Sequence, residues 1–139
     1  MQIYSRNGTR LNYLYLNVDD LSQDTSRMDD VEELVYIRLF YQYVNKLSLP
    51  SDIEKLRRIV RVRLSGEEEV KHAIEAFLAL DGIVHSIEEP HTVRYALWDA
   101  IINGTVERFD RASANGTLAA KSRWEAQKKS LDVKDAEAA

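Results

Sequence analysis

The chain has 139 residues, of which 45% are hydrophobic and 30% are charged, and its formal net charge is −4. This length and composition are typical of one soluble domain with a short tail. The negative balance excludes a protein that coats nucleic acid with its whole surface, so any such contact must be a local basic patch. The absence of cysteine excludes disulfides and cysteine-ligated zinc, and it agrees with a cytoplasmic location.

The first 28 residues predict one strand between two less regular segments. Asn7-Gly8 favours a tight turn. Aromatic and aliphatic side chains alternate over residues 11–18 and predict a strand, which we expect to pair with a strand after Gly82. The polar, acidic residues 19–28 predict a loop or the start of a short helix. The N-terminus does not have the pattern of a signal peptide, and no window is apolar enough to span a membrane.

Two helices joined by a short apolar turn are predicted over residues 28–62, and we expect the domain to be organised around them. An acidic pair, Asp29 and Asp30, suits the positive end of a helix dipole and begins the first helix, which is apolar on most of its sides. A Leu-Ser-Leu-Pro segment ends it, because a residue before proline is disfavoured in a helix. Ser51, with Glu54 three residues later, predicts a capping box at the start of the second helix.

The second half of the chain predicts further helices and one hairpin. Residues 67–80 predict a third helix with acids in its first turn and an apolar inner face. Asp81-Gly82 marks a turn, and residues 83–87 predict a strand. Helical spacing is present over residues 91–109.

Two interruptions are expected near the C-terminus. Gly104 weakens its helix by ~1 kcal/mol relative to alanine, so a kink or an end is expected there. Asn115-Gly116 is a second expected stop. Residues 117–129 predict a last, mostly exposed helix, and the remaining residues predict a frayed end.

These motifs, in this order, resemble the YdaU-like domain family, which comprises small domains of phage and prophage replication proteins. The family pattern has an aromatic run, an acidic turn, a Tyr-x-Arg-Leu helix, a Leu-Pro turn, a Leu- and Arg-rich helix, an acidic helix and an Asp-Gly hairpin. The corresponding residues are Tyr13, Tyr15, Leu16, Asp19, Asp20, Leu21, Tyr36, Arg38, Leu39, Leu49, Pro50, Asp52, Leu56, Arg57, Ile59, Glu67, Glu68, Glu69, Phe77, Leu78, Asp81 and Gly82. The match spans residues 13–87, and residues 114–116 resemble the family's trailing segment. The resemblance implies a winged-helix-like fold, a link to phage or plasmid DNA replication, and no catalytic residues.

Helix, helix, helix and then a hairpin is also the order of elements in a winged helix. The predicted fold class is therefore α+β, mainly α, with a winged-helix-like domain followed by an added helical segment. We expect the domain to occupy residues 1–110. Residues 111–139 are expected to form a basic helical extension and a frayed tail.

Charge is segregated along the chain. Residues 55–63 carry five basic side chains and no acid, which gives +5, whereas residues 111–129 carry five basic side chains and one acid, which gives +4. Residues 19–33 carry seven acids and one arginine, which gives −6.

The basic segments are predicted to bind DNA phosphates in a salt-dependent way, in a phage- or plasmid-type replication accessory or initiator protein. The candidate DNA-binding residues are Lys55, Arg57, Arg58, Arg61, Arg63, Lys121 and Arg123. The alternative is that these residues are solvated, or pair with the acidic segment in the fold or across a dimer.

A second hypothesis is a protein–protein adapter that engages a helicase, a helicase loader or another copy of itself without contacting DNA. The third helix opens with three glutamates, which would repel phosphates if that helix entered a DNA groove. The acidic surface would then dock a basic partner. Trp124 lies in a polar stretch and is predicted to be exposed. It would then anchor a partner, or alternatively it packs back on the domain. The candidate partner-binding residues are Glu67, Glu68 and Trp124.

Five tyrosines have the spacing of helix and strand positions that pack in the core or at its edge. They are Tyr13, Tyr15, Tyr36, Tyr41 and Tyr43. Core packing is the favoured interpretation. The alternative is that they stack on the bases of a single strand.

No residue pattern points to an enzyme. The three histidines are too scattered for a metal motif, and the sequence has neither a Gly-x-Ser-x-Gly motif nor a cysteine nucleophile. We therefore expect no catalytic residues, no metal and no cofactor.

Overall fold

The computed structural model of the chain describes residues 2–63 and 65–138. Its elements, in chain order, are β1 (Ile3–Tyr4), β2 (Arg10–Leu11), α1 (Val18–Thr25), α2 (Asp30–Lys46), β3 (Leu49–Pro50), α3 (Ile53–Val60), α4 (Glu67–Leu78), β4 (Ile83–His85), β5 (Thr92–Tyr95) and α5 (Ala96–Ala138). The fold class is α+β and mainly helical, as predicted. The chain divides into two compact units, an N-terminal unit (Met1–Val106) and a helical unit (Glu107–Ala139).

A two-stranded hairpin begins the N-terminal unit. β1 and β2 pair in antiparallel fashion. The turn between them places Gly8 at a φ of 86°, where a glycine meets no steric cost. The Thr9 N–H donates to the Ser5 hydroxyl at 3.0 Å across this turn. The predicted turn at Asn7-Gly8 is confirmed.

The predicted strand over residues 11–18 is wrong beyond Leu11. β4 and β5 pair with each other and β5 also pairs with β3, so this segment has no place in that sheet. Its backbone is held by a helix instead, because the Tyr15 N–H donates to the Thr105 hydroxyl at 2.8 Å. α1 then begins at Val18, which agrees with the short helix considered for residues 19–28.

The central helix α2 has the boundaries that its sequence signals predict. The Asp29 carboxylate accepts the Glu32 N–H at 2.8 Å, and this hydrogen bond lowers the pKa of Asp29. At the other end Leu47 adopts a φ of 62°, and its N–H donates to the Tyr43 carbonyl. The buried face of α2 consists of Val35, Tyr36, Leu39, Phe40, Tyr43 and Val44.

The segment between α2 and α3 is a strand rather than a simple break. β3 pairs antiparallel with β5, and the Ser51 N–H extends this pairing by donating to the His91 carbonyl at 2.9 Å. Because the backbone of Ser51 belongs to the sheet, the predicted capping box is wrong. Asp52 is the N-cap residue, and its side chain accepts no hydrogen bond from α3.

The third helix and the hairpin follow in the predicted order. α4 ends at Leu78, and Gly82 has a φ of 91° in the turn before β4. The predicted helix over residues 91–109 is wrong at its start, because β5 occupies its first residues. In β5 the side chains of Val93 and Tyr95 are buried while Arg94 between them is exposed. This period of two marks a strand that pairs with β4 on one side and β3 on the other.

α5 continues through both predicted stops. Ile101, Ile102 and Thr105 are buried around Gly104, and this packing offsets the helix-propensity cost of the glycine. Asn115-Gly116 is exposed within the helix, and nothing in the described structure explains why the helix continues there. The helix predicted for residues 117–129 is therefore part of α5. Of the predicted tail, Ala139 lies outside the described residues.

An aromatic cluster around Trp98 forms the centre of the core. The ring centroid of Trp98 lies 5.1–5.3 Å from those of Tyr36, Phe40, Tyr43, Phe77 and Tyr95. Buried hydroxyls in this cluster are satisfied by carboxylates. Asp24 Oδ2 accepts from the Tyr36 hydroxyl at 2.7 Å and from the Tyr95 hydroxyl at 2.6 Å. The cluster therefore joins α1, α2, α4, β5 and the first part of α5.

Candidate nucleic-acid interface

Four basic side chains at α3 and just after it are exposed. Lys55 and Arg58 lie on α3, Arg61 is its C-cap residue, and Arg63 follows. Their charged groups form no ion pair or hydrogen bond with any residue that the structure describes. We call these four residues the basic rim. Unpaired cations of this kind are available to a phosphate backbone.

Arg57, the remaining basic candidate on α3, has a different environment. Its guanidinium contacts Glu54 at 2.8 Å on its own helix and Glu67 at 2.9 Å at the start of α4. The hydrogen bonds to Glu67 and Glu54 raise the pKa of Arg57. The structure thus pairs one candidate DNA-binding residue with one candidate partner-binding residue. Arg57 therefore links α3 to α4 through its ion pair with Glu67, and the Glu67 side chain remains largely exposed.

A groove of about 970 Å³ runs beside the basic rim. One wall is the outer face of α2, and the other consists of residues 59–63 and Ser65. The lining residues are Asp30, Val31, Leu34, Arg38, Tyr41, Gln42, Asn45, Ile59, Val60, Arg61, Val62, Arg63 and Ser65. We call this the α2 groove. It contains three arginines and one carboxylate, so its formal charge is +2.

Arg38 fixes the shape of this groove. Its guanidinium donates to the Val60 carbonyl at 2.6 Å and to the Arg61 carbonyl at 2.9 Å. These carbonyls are at the end of α3, where the helix itself supplies no N–H partner. The arginine therefore caps α3 and ties it to α2, and its charge remains inside the groove.

The α2 groove also has an exposed aromatic ring. Tyr41 is 62% exposed and lines the groove, and Leu34 beside it is also exposed. The predicted packing in the core or at its edge is confirmed for Tyr36 and Tyr43, which are buried. Tyr13, Tyr15 and Tyr41 are at least half exposed, so they are not core residues.

Two other surfaces of the N-terminal unit have the opposite charge. On α4, Glu68, Glu69 and Glu75 are exposed. At the tip of the β4–β5 hairpin, Glu88 and Glu89 are exposed beside Ile87, which is 98% exposed. Carboxylates at both places disfavour phosphates by like-charge repulsion.

The other predicted site residues lie in the helical unit. Lys121, Arg123 and Trp124 are exposed, and Trp124 is 67% exposed. The Arg123 Nε donates to the Ala119 carbonyl of the same helix at 3.4 Å.

Arg38 and Gln42 were not predicted as site residues, whereas Tyr41 was considered as a stacking platform for single-stranded bases. The spacing of Arg38 and Gln42 places them on the same stripe of α2 as the core residues Val35 and Leu39. On a helix that is apolar on most sides, periodicity does not distinguish a buried face from an exposed one. Polar residues within that stripe could have identified these positions, because they mark the part of α2 that faces solvent.

Comparisons with models of protein families, with curated proteins and with solved structures gave no match. Within the described chain, no helix is long and apolar enough to cross a membrane. No group of three or more histidine or acidic side chains suited to a metal ion occurs among the described residues. The YdaU-like resemblance therefore stays a prediction.

Proposed function

We propose that this chain is a non-enzymatic DNA-binding accessory or initiator protein of phage- or plasmid-type replication. Its N-terminal unit binds the DNA backbone through the basic rim. The observation that carries the proposal is the set of four exposed cations, which have no partner among the described residues and lie in or near a positively charged groove. Lys121 and Arg123 of the helical unit are proposed as additional phosphate contacts. The link to replication depends on the resemblance to YdaU-like domains.

The order of elements supports a winged-helix type for the N-terminal unit. α2, β3, α3 and α4 are followed by the β4–β5 hairpin, and β3 pairs with β5. A winged helix has this succession of helix, strand, two helices and hairpin. In many such domains the third helix enters the major groove. Here α4 and the hairpin tip carry exposed acids, so we place the DNA contact on the basic rim instead.

A fluorescence-polarisation titration with labelled DNA tests the proposal. The test variant is Arg61→Gln/Arg63→Gln, which removes two rim charges and preserves much of the side-chain length. The matched control is Arg27→Gln/Lys71→Gln, which removes two exposed charges that do not line the α2 groove. Affinity is measured between about 50 mM and about 200 mM salt, because counterion release makes phosphate binding depend steeply on salt.

We expect wild-type binding that weakens with salt. In the test variant the slope of log affinity against log salt should fall by roughly 1.4 to 1.8, which corresponds to two lost phosphate contacts. The control should retain the wild-type slope. Absence of binding at low salt, or equal losses in both variants, would contradict the proposal.

A second candidate function is a protein–protein adapter that binds a helicase, a helicase loader or another copy of the chain. The observation that favours it is the exposure of Trp124 together with Leu118, since both are large apolar side chains on a helix that is otherwise polar there. Acrylamide quenching of tryptophan fluorescence tests it, because Trp98 is buried and Trp124 is exposed. Protection of Trp124 at high chain concentration or on addition of a purified helicase supports the adapter. Unchanged quenching under both conditions contradicts it.

A further inference from the structure

We infer that the α2 groove binds single-stranded DNA in preference to a duplex, with one base stacked on the ring of Tyr41. This inference rests on the proposed DNA-binding function and specifies the form of DNA that the same surface takes. Three observations support it: the concave shape of the site, the exposed ring within it, and the position of the cations along its edge.

The shape of the surface favours a single strand. Duplex DNA is read by convex elements, an α-helix or a two-stranded ribbon, which enter the major groove. The convex elements of that kind in the N-terminal unit include α4 and the β4–β5 hairpin, and both carry exposed acids. α3 also carries the exposed cations Lys55 and Arg58, but Arg38, Arg61 and Arg63 line a groove of about 970 Å³, which has room for a few nucleotides but cannot enclose a double helix.

Tyr41 has the exposure that a stacking platform needs. Its ring is 62% exposed and lines the groove, whereas Tyr36 and Tyr43 are buried against Trp98. α2 fixes the backbone of Tyr41, and the Asn45 amide donates to the Tyr41 carbonyl at 3.1 Å. Every base has a π face, so stacking on a fixed aromatic ring binds single strands with little dependence on sequence.

The arginines that line the groove lie where the phosphate backbone of a DNA strand would run. Arg61 and Arg63 are exposed on the wall opposite α2, and both line the groove. Arg38 is held against the end of α3 by two carbonyls, so its charge has a fixed position. Apolar side chains, including Leu34 and Ile59, line the same space and give unpaired bases a surface that paired bases cannot reach.

The test compares a labelled oligothymidylate of about 12 nucleotides, within the range of single-strand site sizes, with the same strand annealed to its complement. The variants are Tyr41→Ala, Tyr41→Phe and the control Tyr13→Ala, which removes an exposed tyrosine that does not line the groove. Circular dichroism confirms that each variant is folded. We expect the single strand to bind more tightly than the duplex. Tyr41→Ala should weaken single-strand binding roughly tenfold, in agreement with the loss of one stacked base, while Tyr41→Phe and Tyr13→Ala stay within about twofold of wild type on the same scale.

A second measurement uses the wild-type chain and does not depend on any variant folding. One thymine of the strand is replaced by 5-iodouracil, the complex is irradiated, and the crosslinked peptide is identified by mass spectrometry. A crosslink to Tyr41 supports the inference, and crosslinks confined to other residues overturn it.

The two proposals fail in different ways. If duplex binds as tightly as single strand and Tyr41→Ala has no effect, while Arg61→Gln/Arg63→Gln still weakens binding, the single-strand inference is wrong and the DNA-binding function stands. If neither form of DNA shows salt-sensitive binding, both proposals are wrong.

Discussion

Asp24 on α1 is expected to stabilise the fold through its two tyrosine partners, and the substitution Asp24→Ala tests this. Asp24 Oδ2 accepts from the Tyr36 hydroxyl at 2.7 Å and the Tyr95 hydroxyl at 2.6 Å. Tyr36 and Tyr95 are buried, at 1% and 4% exposure. The Tyr36 oxygen also accepts from the Trp98 indole N–H at 3.1 Å, so the carboxylate ends a chain of hydrogen bonds that reaches the centre of the core.

The magnitude follows from these contacts. A hydrogen bond to a charged group contributes about 1.5–3 kcal/mol to stability, and a buried donor left without an acceptor costs a similar amount. Asp24 is half-buried, so after its removal water can replace part of the hydrogen bonding that the two tyrosine hydroxyls lose. We therefore expect Asp24→Ala to lower the free energy of unfolding by about 2–4 kcal/mol. In urea this corresponds to a fall of the unfolding midpoint on the order of 1–2 M.

The assay is equilibrium urea unfolding followed by circular dichroism, with Asp19→Ala as the matched control. Asp19 is an exposed aspartate on the same helix, and its loss should cost less than about 1 kcal/mol through the helix dipole. A double-mutant cycle of Asp24→Ala with Tyr95→Phe isolates one of the two hydrogen bonds, with an expected coupling energy of about 1–2 kcal/mol. If Asp24→Ala costs no more than the control, or if the cycle shows no coupling, the reasoning is refuted.

Three further predictions concern local features of the N-terminal unit. Burial, with a hydrogen bond to a carboxylate, raises the pKa of Tyr43 to about 12. Its neutral hydroxyl therefore stabilises the fold fully below pH ~10, the pKa of an unperturbed tyrosine, and this contribution is lost as the pH rises through about 12. Urea titrations at increasing alkaline pH should show a smaller loss of stability in Tyr43→Phe than in wild type. Gly104→Ala should stabilise α5 by about 0.5–1 kcal/mol, because an added Cβ meets open space. Gly82→Ala should destabilise the fold, because Gly82 has a φ of 91° and an added Cβ would lie 3.3 Å from a tyrosine ring. Thermal melts that do not place Gly104→Ala above wild type and Gly82→Ala below it would contradict this. Arg38→Gln should cost about 1–3 kcal/mol, because two carbonyl oxygens at the end of α3 lose a charged donor, and faster amide exchange confined to α3 would identify the cause.

The candidate site was only partly predictable. The sequence showed that residues 55–63 are strongly basic, but it gave Arg57 and Arg61 equal weight. The structure pairs Arg57 with Glu54 and Glu67 and leaves Arg61 exposed. The groove itself was not foreseen, because it forms between two helices and its exposed ring belongs to a helix that the sequence treats as central. Both features depend on how α3 packs against its neighbouring helices, which the local pattern of charges does not specify.

The sequence by itself determined the features of the fold that depend on interactions between residues close together in the chain. The start of α2 at Asp29, the position of α4, and the turns at Gly8 and Gly82 depend on caps, periodicity and backbone freedom within a few residues. β4 was predicted from the sequence, but the tertiary structure alone decided that the segments of β3 and β5 are strands. β3 and β5 exist because each supplies the other with backbone partners across a long stretch of chain, and that pairing overrides the apparent capping box at Ser51 and the helical spacing of residues 91–95. It also decided which face of α2 is core and which lines the groove, because burial depends on what packs against a helix and not on the helix alone.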